Sequence, residues 1–172
     1  MEKWYVIQVR SKLEEKIKKS CEMIISKEFL KECFIPRNLR LKKINGKWIE
    51  DEEILFNGYV FLVSDTPDEL FLELKKIPDL TKMLGKSNNE IFPLYDDEVA
   101  FLKSLSNDGH VVEMSTGIII NDLVNITSGP LQGKEGIIKK IDRHKRIAFI
   151  EVELFGKTTI AKVGLEIISK TQ

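Results

Sequence analysis

The sequence predicts an α+β protein of two domains, an N-terminal α/β sandwich and a C-terminal small β-barrel. Three observations carry this. Residues 1–106 alternate apolar strand-like runs with amphipathic helical stretches. Residues 107–117, opening on Asn107-Asp108-Gly109, break that pattern and read as a linker. Residues 118–172 hold only short strand-like segments between turn signals, the spacing of a small closed barrel.

Lys3–Arg10 is rich in aromatic and β-branched residues and nearly continuous in apolar character, so it is expected as a central strand buried on both faces. Ser11 with Glu14 three residues on forms a capping-box pattern. Leu13, Ile17, Cys21 and Ile24 then recur at helical spacing, which predicts a helix from about Lys12 to Lys27. Cys33–Pro36 is a short strand stopped by proline. Leu39, Leu41 and Ile44 alternate with cations, and Asn45-Gly46 predicts a hairpin returning through Lys47–Glu50. The acidic run Asp51–Glu53 reads as a solvated strand end. Ile54–Val63 is another apolar strand, in which Gly58 invites a bulge or the close approach of another backbone. Thr66-Pro67 opens a second helix that Pro78 stops. Leu80–Leu84 is a short strand, Gly85–Asn89 a polar loop, and Pro93–Leu105 a third helix with Asp96–Glu98 at its positive end.

In the C-terminal part, Leu123–Thr127, Glu135–Ile141, Ile147–Leu154, Thr158–Val163 and Glu166–Ile168 are the expected strands. Between them lies Gly129–Ala148. Its first half is turn chemistry, with Gly129, Pro130, Gly133 and Gly136. Its second half sets Lys139, Lys140, Arg143, Lys145, Arg146 and His144 around a single acid, Asp142. A tight turn carrying a dense cationic loop on a rigid barrel points to nucleic acid, with Lys134 as a flanking contact.

Bulk charge does not make that argument. The 27 cations and 27 acids cancel, so any polyanion contact must come from a local patch. The two cysteines, Cys21 and Cys33, stand in no metal-ligand or redox spacing and read as free thiols. His110 and His144 have no nucleophile partner at motif spacing, and no phosphate-binding glycine loop opens a helix, so no enzyme, cofactor or metal is expected. No signal peptide or spanning segment is readable, and a soluble cytoplasmic monomer is expected.

Two motifs then carry a resemblance. Asp122-Leu-Val-Asn-Ile-Thr-Ser-Gly129-Pro130-Leu131-Gln-Gly133-Lys-Glu-Gly136, followed by an apolar strand and a return at Gly156, resembles a KOW motif. Trp4-Tyr5-Val6, Ile35-Pro36 and Phe56-Asn57-Gly58-Tyr59-Val60-Phe61 fall in the order of the NusG N-terminal domain. Both together resemble the NusG family of transcription elongation factors. His110–Gly117 and Lys139–Ala148 are similar to the specialised LoaP branch of that family, although Asn57 stands where proline is usual and the basic loop is denser than in housekeeping members.

The resemblance implies a ferredoxin-like α/β sandwich, residues 1–106, joined through residues 107–117 to an SH3-like barrel, residues 118–172. It implies that the first domain grips the clamp helices of the RNA polymerase largest subunit, with Tyr5, Phe56, Gly58 and Tyr59 at or near that surface. It implies processive antitermination, the barrel binding a structured leader hairpin in the nascent RNA through Lys134, Lys139, Lys140, Arg143, His144, Lys145 and Arg146. The alternative is a general elongation factor whose barrel binds a ribosomal protein or termination factor. Some specialised relatives refold this domain into a helical hairpin. Here the isoleucine, valine and threonine content and the turn glycines favour a permanent barrel.

Overall fold

The computed structural model describes residues 1–80, 82–87 and 90–172. By internal contact the chain separates into two compact units, Met1–Pro36 with Phe56–Val99, and Arg37–Leu55 with Ala100–Gln172. The hairpin at 37–55 therefore groups with the C-terminal residues.

In chain order the elements are β1 Lys3–Gln8, α1 Glu14–Ile24, β2 Glu32–Phe34, β3 Arg37–Ile44, β4 Lys47–Ile54, β5 Tyr59–Ser64, α2 Pro67–Leu74, β6 Lys82–Met83, β7 Lys86–Ser87, β8 Glu90–Ile91 and α3 Asp96–Leu105. They continue with β9 Val111–Val112, β10 Ser115–Ile120, β11 Leu123–Ser128, a 3₁₀ turn at Glu135–Ile137, β12 Ile138–Asp142, β13 Ile147–Leu154 and β14 Lys157–Thr171. Thr81 of the expected strand Leu80–Leu84, and Asn88 and Asn89 of the expected loop Gly85–Asn89, lie outside the described residues.

The first unit is built on a sheet in the order β2-β5-β1-β6. The apolar strands β1 and β5 are its centre, paired antiparallel from Lys3↔Ser64 to Gln8↔Tyr59. Trp4, Phe34 and Phe61 form an aromatic core, with Trp4 edge-on to Phe34 at 4.9 Å and Phe34 stacked on Phe61 at 5.4 Å.

The start of α1 departs from the capping-box expectation. Leu13 occupies the cap position after a left-handed Lys12 (φ 77°), and no side chain caps the helix. The Glu14 carboxylate is drawn elsewhere: buried, it accepts the Gly58 N–H at 2.7 Å. Gly58 is itself left-handed (φ 82°), and a Cβ there would stand 3.0 Å from the Val9 carbonyl. The close backbone approach expected at this glycine is thus to Val9, whose N–H also donates to the Gly58 carbonyl at 2.7 Å. A buried amide must find an acceptor, and this one outbids the helix cap.

Glu14→Ala should therefore leave the Gly58 N–H unsatisfied and destabilise by about 2–3 kcal/mol, while Glu14→Gln keeps a carbonyl acceptor and loses less. Urea midpoints of the two variants would separate them. Equal losses would mean that side-chain volume, and not the hydrogen bond, matters at this position.

In the second unit, β3 and β4 pair from Arg37↔Ile54 to Ile44↔Lys47. Asn45 (φ 51°) and Gly46 (φ 78°) are both left-handed at the turn, as a two-residue hairpin requires. The acids Asp51–Glu53 are part of β4 and not a solvated end, because β3 presents cations to them. Arg40 meets Glu53 at 2.8 Å, while Lys42 meets Asp51 at 3.1 Å and also pairs with Glu53.

Burial alone would raise the Glu53 carboxyl, but Lys42 and Arg40 outweigh it and hold the group below its ordinary range. Hydrogen bonds to Glu53 and Asp51 raise the Lys42 ammonium. The Glu53 contribution to stability is therefore complete above the ordinary carboxyl value of about 4.3 and lost as pH falls through the lowered one. That of Lys42 is complete below about 10.4 and lost as pH rises through its raised value. Glu53→Gln should melt below wild type at neutral pH by an amount that shrinks under about pH 4. A gap independent of pH would show that the charge is not what holds the hairpin.

The remaining sheet runs β11-β10-β14-β13-β12. Two expected strands, Thr158–Val163 and Glu166–Ile168, are one continuous β14. Lys157–Gly164 pairs antiparallel with β13, and Leu165–Thr171 pairs parallel with β10. The strand changes partner at Gly164, where a Cβ would lie 2.6 Å from the Leu39 carbonyl and overlap Met114 Sδ. Part of the expected linker is structured. Val111–Val112 pairs with β3, and β10 begins at Ser115. The expected strand start at Glu135 is instead the 3₁₀ turn.

Candidate nucleic-acid interface

Strands β12 and β13 close at Asp142↔Ile147, leaving Arg143–Arg146 as the connecting loop. Asp142 holds that loop from below: its carboxylate accepts the Lys145 N–H at 3.0 Å. The Arg143 carbonyl accepts the Arg146 N–H at 3.3 Å, and Arg146 adopts φ 55°. The only acid of the run is thus spent on the turn's own backbone.

The basic residues distribute unevenly. Lys139, Lys140, Arg143, His144 and Lys145 are exposed, whereas Lys134 and Arg146 are half-buried. Consecutive strand residues normally face opposite ways. Here the register slips between Ile138 and Lys140, so Lys139 is the extra residue of a bulge and both lysines reach solvent. Lys139 sits 3.5 Å from Glu151, an exposed pair of the kind that is worth little. Lys140 and Lys162 flank the Phe149 ring at 5.5 and 5.7 Å.

Arg146 is engaged differently. Its guanidinium lies 3.9 Å from the centre of the Trp48 ring and 3.7 Å from Glu166. The five exposed residues of the set therefore form the open cationic face, with Arg146 as its anchored edge. Trp48 and the hairpin cations beside it were missed in the sequence. Nothing in Lys47–Glu50 distinguishes a strand aromatic used for packing from one used for binding.

In the first unit the residues expected to meet the polymerase fall into two groups. Tyr5 and Phe56 are each only 4% exposed. Burial and the nearby Asp68 carboxylate push the Tyr5 phenol up. Phe56 packs on Phe61 at 6.0 Å and on Tyr59 at 6.3 Å. Gly58 is buried, and Tyr59 is half-buried, which makes it the most accessible of the four residues. Leu72, Phe92 and Tyr95 are among the large apolar side chains that this unit exposes more fully, together with Met1, Met23 and Ile24, and nothing in the strand pattern marks them. Cys21 and Cys33 are buried thiols. Among the described residues no three histidine, cysteine or acidic side chains stand close enough to hold a metal ion, and no helix is long and apolar enough to cross a membrane.

Comparison with known proteins bears on this geometry. A family model described as transcription termination factor nusG matches residues 2–103, and one described as KOW motif matches residues 120–153. The transcription termination/antitermination protein NusG of Campylobacter jejuni is 25% identical over 165 residues, spanning 94% of this chain and 93% of that protein. The protein of the same name from Lactococcus lactis is 28% identical over 176 residues, spanning 98% and 93%. A solved structure titled "Domain interaction in Thermotoga maritima NusG" covers 97% of this chain and 94% of its own at 23% identity and a TM-score of 0.53, a likeness of fold. With its first 103 residues matched almost in full and a KOW motif following, the chain belongs to the NusG family of transcription termination/antitermination factors.

Proposed function

We propose that this chain is a processive antitermination factor of the LoaP type, recruited by a folded element of the nascent transcript. The observation that carries the reading is the open cationic face of Lys139, Lys140, Arg143, His144 and Lys145 on a rigid β-turn whose only acid is tied into its backbone. Arginines there can fork across phosphate or guanine edges, and the lysines supply point charges. The target is structured RNA, because the barrel lacks the ladder of exposed aromatics that single-strand binders use.

Family membership supports the other half. NusG proteins generally bind RNA polymerase, and in this reading the first domain, residues 1–106, docks on the clamp helices of its largest subunit with Tyr59 at the contact. Residues 107–117, in which Val111–Val112 pairs with β3 and β10 begins at Ser115, lead from it to the KOW domain, residues 118–172. Two modest contacts on one chain raise each other's effective concentration, so loading depends on polymerase and RNA signal together.

The test is single-round transcription by RNA polymerase through a terminator, with full-length protein. The template encodes upstream either a stem-loop selected from a randomised-loop library for binding the protein, or the same sequence scrambled. Read-through that rises only with the stem-loop supports the reading. Equal read-through on both templates, or failure to select any RNA, overturns it in favour of a barrel that binds protein.

A further inference from the structure

We propose that the β3–β4 hairpin completes the RNA site, and that the pocket beside the Arg143–Arg146 loop holds one unpaired nucleotide of the transcript. This rests on the RNA-binding reading above and adds to it a subsite on a segment, Arg37–Leu55, that the KOW motif does not include.

The pocket encloses about 280 Å³ within the second unit, between the hairpin and the loop. That volume lies just below the roughly 300–1,000 Å³ usual for ligand pockets and suits one nucleotide, not a strand. Its lining combines apolar Leu41, Ile44 and Trp48 with Lys43, Lys145 and the imidazole of His144. No carboxylate lines it, and among the described residues neither Lys43 nor Lys145 faces an acid within ion-pair distance. By contrast Arg40 and Lys42, which also line it, are held by Glu53 and Asp51.

A further feature is what a nucleotide would use. Trp48 is half-exposed and held in place by the Arg146 guanidinium 3.9 Å from its ring centre. An indole fixed beside a guanidinium plane is the kind of surface against which an unstacked base packs, and such bases are where proteins read RNA sequence. The combination of apolar side chains, unpaired lysines and an anchored indole fits a base with its phosphate better than either a bare anion or an acidic side chain.

The experiment uses the full-length protein and nuclear magnetic resonance. The chain has two tryptophans, Trp4 only 6% exposed and Trp48 half-exposed, so the Trp48 indole N–H reports the pocket and Trp4 serves as the control. Titration with each 5′-mononucleotide should shift the Trp48 indole and the Lys43 and Lys145 amides for at least one base. Lys43→Ala, at an exposed strand position, should weaken that binding roughly 3- to 10-fold without unfolding the hairpin. Equal shifts with inorganic phosphate alone, or stronger ones with a polyglutamate peptide, overturn the proposal.

With the selected stem-loop RNA, Trp48→Leu should lower affinity roughly 5- to 100-fold, the scale of one base stacked on an aromatic ring, without changing the salt dependence. If the RNA binds and neither Trp48→Leu nor Lys43→Ala weakens it, the subsite is wrong while the RNA-binding reading stands. If no RNA binds, both fall.

Discussion

Gly129→Ala will lower the melting temperature of the C-terminal barrel by roughly 8–40 °C. The residue sits at φ 97°, where a side chain costs about 1–2 kcal/mol. Its Cβ would also stand 2.5 Å from Ser115 Cα and 2.6 Å from the Met114 carbonyl. Those are backbone atoms and cannot rotate aside, so overpacking adds about 1–3 kcal/mol. The turn cannot simply move outward, because the Leu131 N–H donates to buried Ser115 Oγ at 3.0 Å and Leu131 is fully buried.

Gly133→Ala is the control. It has a similar left-handed φ of 78° but open space where the Cβ would go, so it bears only the conformational cost. Amide exchange across β10 and β14 together with thermal melting would measure both. If Gly129→Ala melts no lower than Gly133→Ala, the close seating of this turn on the start of β10 is not what secures the barrel.

Lys139→Ala/Lys140→Ala/Arg143→Ala should cut the dependence of RNA affinity on salt by roughly 2–3 units, at about 0.7–0.9 per lost phosphate contact. If the affinities of variant and wild type converge near 1 M salt, that slope corresponds to about a 100-fold loss at 0.15 M. The three side chains are exposed and carry none of the loop's backbone hydrogen bonds, so the fold should be unaffected. None of them lines the hairpin pocket, so mononucleotide binding to Trp48 should survive. Fluorescence anisotropy of a labelled stem-loop from 50 to 500 mM KCl is the measurement. An unchanged slope would remove the cationic face from the RNA site.

Arg146 was left out of that variant for a reason the sequence does not show. In the chain it is one of five cations in a run. In the structure it anchors the loop against Trp48 and Glu166, so removing it would mix packing with charge. The paired lysines raise the opposite point. Alternation would send one of Lys139 and Lys140 inward, and only the bulge in β12 lets both reach solvent. Glu14 was legible as a helix cap and is instead the acceptor for a glycine 44 residues away. Tyr5 and Phe56 were legible as large aromatics in apolar strands, and their near-complete burial gives them a packing role in the first unit.

What the sequence determined by itself was everything governed by neighbours along the chain. The α+β class, the central apolar strand β1, the Asn45-Gly46 hairpin, the turn glycines and the cationic loop all follow from local periodicity and φ preferences. The expected strand Ile54–Val63 is instead divided, with Ile54 ending β4 and left-handed Gly58 turning the chain before β5. Only the tertiary structure decided what depends on distant partners: which amide claims Glu14, that β14 is one strand serving two neighbours, and that Trp48 stands under Arg146. The physical reason is that such contacts are set by which buried groups must be satisfied once the backbone closes, and the residues that satisfy them carry no mark of it in their own surroundings.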